Sequence, residues 1–127
     1  MFRALLASIM AMTLVGCASL EIPSFYDDNE SVLAVDLQWE VQQLDCKAPL
    51  VGATNIRNSL GKFILYSNGK ESNDIGEMLR IMGDTVSPFY KRATDPEKKM
   101  SEKYCTLKKD IMAEQSSDIT RAVMGRY

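Results

Sequence analysis

Apolar residues recur at intervals of three and four in the middle of the chain, which predicts amphipathic helices. One stripe comprises Ile56, Leu60, Phe63 and Ile64, and a longer one comprises Ile75, Met78, Leu79, Met82, Val86, Phe89 and Tyr90. These two stripes predict the second and third helices of the domain. For the second, a strand through the letters FILYSNG is the alternative, and the spacing upstream favours the helix.

The segment before these helices has two interpretations. Leu33, Val35, Leu37, Trp39 and Val41 alternate with other residues, as in a strand. On a helix the same segment forms two apolar stripes, Leu33/Leu37/Val41/Leu44 and Val32/Val35/Trp39/Cys46, as expected of a helix buried on two sides. Its Gln, Glu, Leu and Ala content favours the helix. We therefore expect a first helix that Cys46 closes, that ends before Pro49, and in which Trp39 anchors the core.

The letters TDPEKK predict the start of the last helix, with Thr94 or Asp95 as the cap and Pro96 at its first position. Its expected core stripe is Met100, Tyr104, Leu107 and Ile111, continued by Ile119 and Val123. The letters EQSSD weaken this helix and predict a bend or break near Ser116.

Several other boundary signals are present. Asp28, Asn29 or Ser31 is expected to cap the first helix, and Gly69 to end the second in a left-handed conformation. Asp74 and Glu77 have the spacing of a capping box at the start of the third. Pro88 predicts a kink or a new helical start within it.

The N-terminal segment has the layout of a secretory signal. Arg3 is followed by an apolar run from Ala4 to Val15, shorter than the roughly 20 residues of a spanning helix. The run ends at Leu14-Val15-Gly16-Cys17, which resembles the lipobox of bacterial lipoproteins. The alternative is an ordinary signal peptide that is cleaved nearby.

The lipobox resemblance implies diacylglycerol on the sulfur of Cys17, cleavage before this residue, and acylation of the new amine. Ala18 and Ser19 follow, so the Asp that retains enteric lipoproteins in the inner membrane is absent at the second position. The resemblance thus implies an outer-membrane lipoprotein that faces the periplasm. We expect residues 1–16 to be the signal peptide, 17–30 a lipid-anchored tether, and 31–127 the helical domain. In the tether, Phe25 and Tyr26 are expected to staple the first helix, the alternative being a position in the headgroup layer.

Once Cys17 is assigned to lipid, Cys46 and Cys105 remain as an even pair in an oxidising compartment. A bond between them would close a loop of about 60 residues and stabilise the fold by about 4 kcal/mol. Two isolated thiols lack further ligands for a metal, and the C-x-x-C spacing of a redox pair is absent. We predict a structural disulfide.

Composition excludes several function classes. The net charge of −2 and the lack of basic blocks with interleaved aromatics argue against nucleic acid as a partner. The chain has no histidine, no Gly-rich phosphate loop and no Gly-x-Ser-x-Gly elbow, so we expect no enzyme, no catalytic residue, no metal and no cofactor.

Acidic residues are concentrated before the second helix. From Glu21 to Asp45 there is no base, and the acids are Glu21, Asp27, Asp28, Glu30, Asp36, Glu40 and Asp45. Basic side chains of the later helices are expected to compensate them. A cationic partner is the alternative.

These features predict an all-α fold, a small bundle of three to five helices with one disulfide behind a lipoprotein signal peptide. The predicted function is that of a non-catalytic lipoprotein, held at the outer membrane by lipid on Cys17, whose periplasmic domain binds a protein partner, as the helical pilotins of secretion systems do. The letters PSFYDDNES, LDC and AVMGRY faintly resemble small proteins of tailed phages. That resemblance implies the alternative, a phage-encoded lipoprotein acting in host lysis as an outer-membrane spanin or in superinfection exclusion.

Overall fold

The computed structural model describes residues 27–125, which form four helices and contain no strand. The helices are α1 (Asp28–Gln42), α2 (Pro49–Lys70), α3 (Asn73–Thr94) and α4 (Glu102–Met124). The all-α prediction is therefore confirmed, and the segment that had two interpretations is a helix.

The helices form an antiparallel ring in which each packs on its neighbours in the chain and α4 packs back on α1. Two hydrogen bonds show that α1 and α4 run in opposite directions. Thr120, late in α4, donates to Ala34 O in the first half of α1, whereas Lys109, in the first half of α4, donates to Leu44 O just after α1. The bundle thus has two distinct ends. One, the Asp27 end, holds the start of α1 and the α2–α3 turn; the other, the disulfide end, holds the α1–α2 and α3–α4 connections.

The core confirms the stripes predicted for the second and third helices. Burial of apolar surface is the main force that holds such a bundle together. The largest fully buried apolar side chains are Phe63, Phe89, Leu37, Ile56, Ile75, Leu79, Met82, Met112 and Ile119. Ile64, Met78 and Tyr90 pack at the edge of this cluster.

Helix α1 is buried on one side. Ala34, Leu37 and Val41 face the core, whereas Trp39 is 57% exposed, and the predicted anchoring role of Trp39 is wrong. A helix in a ring of four meets its neighbours over one broad face, so no other helix of residues 27–125 covers the second apolar stripe.

The core stripe predicted for the last helix is correct at Met100, Ile119 and Val123 and wrong at Leu107 and Ile111. Leu107 is 58% exposed and Ile111 is also exposed, while Cys105, Met112, Ser116, Ile119 and Val123 are buried. The helix continues through Ser116, whose hydroxyl donates to Ala113 O instead of interrupting the chain. A polar residue in the middle of the buried stripe hid its periodicity from the sequence pattern.

The predicted start of the last helix at TDPEKK is also wrong. Thr94 ends α3, and the Asp95 carboxylate accepts a bond from Glu97 N without a helix following. Helix α4 instead begins at Glu102, where the Ser101 hydroxyl accepts from Tyr104 N. Both sites carry the same side-chain-to-backbone chemistry, and packing selects the second.

Three further boundaries differ from expectation. Helix α2 continues past Gly69, and Glu71 takes the left-handed position with a φ of 60°. Ser72, and not Asp74, is the N-cap of α3, and its hydroxyl makes no capping bond to the helix. Helix α3 continues through Pro88 without a new start, and Pro88 is exposed.

The first described helix begins at Asp28, three residues before the predicted domain boundary at 31. Asp27 is its cap, and its carboxylate accepts from Asn29 N. Helix α1 ends at Gln42, so Cys46 lies in the connection, and Pro49 begins α2 rather than ending α1.

The leader, Cys17, Phe25 and Tyr26 lie outside the described residues. Among residues 27–125, no helix is both long and apolar enough to span a bilayer.

Candidate binding cleft at the disulfide end

A cleft of about 700 Å³ opens at the disulfide end, between residues 46–51 of the α1–α2 side and residues 92–102 of the α3–α4 side. Its large exposed apolar side chains are Leu50 and Val51 in the first turn of α2, which are 50% and 69% exposed. Pro49 and Ala93 also line it. The cleft therefore presents apolar surface to solvent without being closed over.

The shape of the first wall depends on a close approach between α1 and α2. An added Cβ on Gly52 would lie 2.6 Å from Leu44 Cδ1 and 3.2 Å from Leu44 Cα. Leu44 is buried and its backbone cannot retreat without moving the whole connection. Gly52 thus allows the connection to lie flat on the start of α2.

Two bonds tie the same connection to α4. Cys46 and Cys105 lie at disulfide distance, with Cα atoms 5.6 Å apart, as the sequence predicts. Lys109 Nζ donates a 2.8 Å hydrogen bond to Leu44 O. The wall that carries Leu50 and Val51 is therefore fixed covalently to the helix across the bundle.

The second wall is organised around Tyr104. Its ring stacks on the buried Phe89 with centroids 6.5 Å apart, and the Arg92 guanidinium lies 4.5 Å from its centroid. This contact orients a cation at the rim. Below it, Met100 is buried and supports the α3–α4 connection from inside.

The cleft is more cationic than anionic. Its basic side chains belong to Lys47, Arg92, Lys98 and Lys99, and its acidic ones to Asp95 and Glu102. Asp95 already accepts a backbone bond from Glu97 N. A ligand with carboxylates is therefore favoured over a cationic one.

A polar cluster that is separate from the cleft lies at the Asp27 end. Lys70 Nζ is 2.8 Å from Glu30 Oε2 and 3.3 Å from Asp27 Oδ2, and Tyr66 donates to Asp27. Burial opposes charge on Lys70, yet the bonds to Glu30 and Asp27 outweigh it and raise the lysine pKa. The Tyr66 hydrogen bond lowers the pKa of Asp27. Tyr66 and Lys70 of α2 thus bond acids at the start of α1, so the cluster joins the two helices.

The two predicted disulfide residues come together, whereas Cys17 lies outside the described part of the chain. Sequence reasoning missed the cleft, although the letters APLV, two apolar residues after a helix-starting proline, carry its signal. Within residues 27–125, no group of His, Cys, Asp or Glu has the arrangement of a metal site.

Comparison with known proteins assigns no relative: no family model, no curated protein and no solved structure matches this chain.

Proposed function

We propose that the protein is a non-catalytic lipoprotein, held on the periplasmic face of the outer membrane by lipid on Cys17, whose helical domain binds a protein partner in the cleft at the disulfide end. The observation that supports it is the exposed pair Leu50 and Val51 in a cleft with a cationic rim. Exposed apolar surface rimmed by polar residues is typical of interaction sites.

The partner segment carries apolar side chains together with carboxylates. Apolar anchors would cover Leu50 and Val51, and carboxylates would meet Arg92, Lys98 and Lys99. Apolar burial supplies affinity in such contacts, while charge complementarity supplies orientation and excludes other partners.

The placement of the cleft suits an anchored protein. The chain enters the bundle at Asp27, and the cleft opens at the opposite end. In a molecule held through Cys17, the Asp27 end faces the membrane and the cleft faces away from it. A partner then reaches the cleft without displacing lipid.

The anchor is tested by growth with radiolabelled palmitate and fractionation of the membranes. The wild-type chain takes up label in the outer-membrane fraction, and the Cys17→Ala variant takes up none. A wild-type chain that incorporates no label is a secreted protein without an anchor, and the anchor proposal is then wrong.

The cleft is tested by a photo-crosslinking amino acid at Val51, with Leu65 as the matched control position. Both residues lie in α2 and have similar exposure, 69% and 75%, but Leu65 does not line the cleft. We expect one adduct at position 51 that is absent at 65 and that the Lys98→Glu/Lys99→Glu variant weakens. Equal adducts at both positions contradict the proposal. The identity of the adduct also separates the pilotin-like role from a phage lysis or exclusion role.

A further inference from the structure

The outer face of α1 carries an apolar stripe without a partner among the described residues. Val32, Val35 and Trp39 are 58%, 44% and 57% exposed, and at 100° per residue they fall within an arc of roughly 60°. Met124 at the end of α4 is 39% exposed and lines a shallow cavity with Val32 and Val35. We call these four residues the α1 stripe.

The spacing of the stripe is that of a helix-binding surface. Residues at i, i+3 and i+7 form a straight ridge along one side of a helix, and a second helix packs its own ridge beside it. Trp39 is the largest side chain of the stripe, and tryptophan is enriched among the residues that dominate binding energy.

The charges around the α1 stripe indicate the chemistry of its partner. Asp36 is four residues from Val32 and three from Trp39, so it lies beside the ridge, and Asp28 precedes Val32 by one turn. Neither of these acids nor Glu40 takes part in an ion pair or side-chain hydrogen bond within residues 27–125. Helix α1 contributes no lysine or arginine.

This contrasts with the other acids of the same helix end. Asp27 and Glu30 are both paired with Lys70. Among the described residues, ion pairing of the acids at this end of α1 is limited to these two. No cation of residues 27–125 pairs with the acids beside the α1 stripe, so a cation of a partner can reach them.

We propose that the α1 stripe is a docking surface for a basic amphipathic helix of a partner protein. Apolar residues of that helix cover Trp39 and the two valines, and its flanking lysines or arginines meet Asp28, Asp36 and Glu40. This surface is separate from the cleft at the disulfide end and does not depend on the function proposed for it.

Two other occupants fit the charges less well. A second copy that paired α1 with α1 would set Asp28, Asp36 and Glu40 of both copies near one another, and like charges at such distances repel. An anionic bilayer surface attracts basic segments, and the acids beside the stripe would oppose contact with it.

Trp39 makes the test direct, because it is the single tryptophan of the chain and its emission reports on the stripe itself. The probes are two designed helical peptides with the same apolar ridge, one flanked by lysine and one by glutamate. They are titrated into the purified full-length Cys17→Ala chain in a neutral non-ionic detergent. We expect the lysine peptide to shift Trp39 emission to shorter wavelength, with at least about tenfold higher affinity than the glutamate peptide.

The Asp28→Lys/Asp36→Lys variant is expected to reverse this preference, because both positions are exposed and their substitution leaves the core intact. The Lys98→Glu/Lys99→Glu variant at the other end of the bundle is the control and keeps the wild-type preference. Equal affinity for the two peptides, or no emission shift with either, overturns the proposal. A shift produced by protein concentration alone identifies a second copy as the occupant, and one produced by phosphatidylglycerol vesicles alone identifies a membrane; either result also overturns it.

Discussion

Lys70 Nζ lies 2.8 Å from Glu30 Oε2, and 1% of the Glu30 side chain is exposed. A carboxylate buried to this extent requires a charged or hydrogen-bonding partner. Ser72 Oγ also approaches the same oxygen, at 3.4 Å. Thus the last turn of α2 and the start of α3 both hold the first turn of α1.

Replacing Lys70 by methionine is expected to destabilise the fold by about 2 to 4 kcal/mol, because it leaves Glu30 buried without its cation. Denaturant unfolding measures the loss, and Glu30→Gln added to Lys70→Met should restore part of it. The control is Arg80→Ala, which removes an exposed pair with Glu77 and is expected to leave the stability nearly unchanged, because water screens that pair. Equal losses in the two single variants would contradict the structural role of the buried pair.

Acid is expected to weaken the Asp27 contact. Because the Tyr66 bond lowers the pKa of Asp27 below its ordinary value of 3.8, the contact stabilises the fold at pH values above 3.8. That stability is lost as the pH falls through the lower folded pKa. NMR titration of Asp27 should show the lowered pKa in the wild type and a pKa closer to 3.8 in Tyr66→Phe. An unchanged Asp27 pKa in that variant would assign the shift to another cause.

Alkaline conditions act on the same contact from the other partner. The bond to Asp27 raises the pKa of Tyr66 above 10.0, so its stabilisation is present below pH 10 and is lost as the pH rises through the raised value. Ultraviolet titration of tyrosinate should show one tyrosine that ionises late. That late step should disappear in Tyr66→Phe and return to the ordinary range in Asp27→Asn.

Removal of the disulfide is expected to cost about 4 kcal/mol in the loop-entropy model. The Cys46→Ser/Cys105→Ser variant should therefore unfold at much lower denaturant concentration than the oxidised wild type. A reductant should lower the stability of the wild type to a similar degree and leave the variant unchanged. A reductant effect on the variant would show that the cysteine pair is not its target.

Two glycines of α2 provide a matched pair of substitutions. Gly52→Ala forces a Cβ against Leu44 and is expected to destabilise by about 1 to 3 kcal/mol. Gly61→Ala meets no atom within 4 Å and is expected to stabilise by about 0.5 to 1 kcal/mol through helix propensity. Thermal unfolding of both variants measures the difference, and shifts of the same sign would contradict the close approach at Leu44.

Glu71 is the one described non-glycine residue with a positive φ, at 60°. Glu71→Gly is expected to stabilise the fold by about 1 kcal/mol, because glycine adopts this conformation without a Cβ clash. Chemical denaturation measures the gain. Glu71→Ala, which keeps the Cβ, is the control and should give no comparable gain.

The sequence predicts the parts of this fold in which burial follows the helical period. The stripes of α2 and α3 are continuous, so Phe63, Leu79 and Phe89 were assigned correctly to the core. The disulfide followed from cysteine number and compartment once Cys17 was assigned to lipid. None of these predictions requires knowledge of which helices are neighbours.

The wrong predictions about which apolar residues form the core share a physical cause. Trp39 and Leu107 are large apolar residues at helical spacing, and local pattern alone treats them as core. Their exposure depends on how many neighbours a helix has, which is a property of the assembled bundle. Conversely, Ser116 can be buried because its hydroxyl donates a hydrogen bond to Ala113 O within its own helix. A pattern based on polarity alone does not predict this burial.

Sequence reasoning missed the cleft as a whole for a related reason. Leu50 and Lys98 are far apart in the chain, and a shared rim appears only when the α1–α2 and α3–α4 connections meet at one end. The acids beside the α1 stripe were visible in the sequence. That no described cation compensates them was not visible, because it depends on Lys70, which pairs with Asp27 and Glu30 instead.

If the protein is anchored at Cys17 as proposed, the length of its helices limits how far from the membrane it can act. Helix α2 has 22 residues and spans about 33 Å from end to end. The ten residues from Cys17 to Asp27 extend to at most about 35 Å. A chain held by lipid at Cys17 therefore carries its cleft no more than roughly 70 Å from the bilayer surface. Only partners that come within this radius, whether embedded in the membrane or resting on it, are within reach of the cleft.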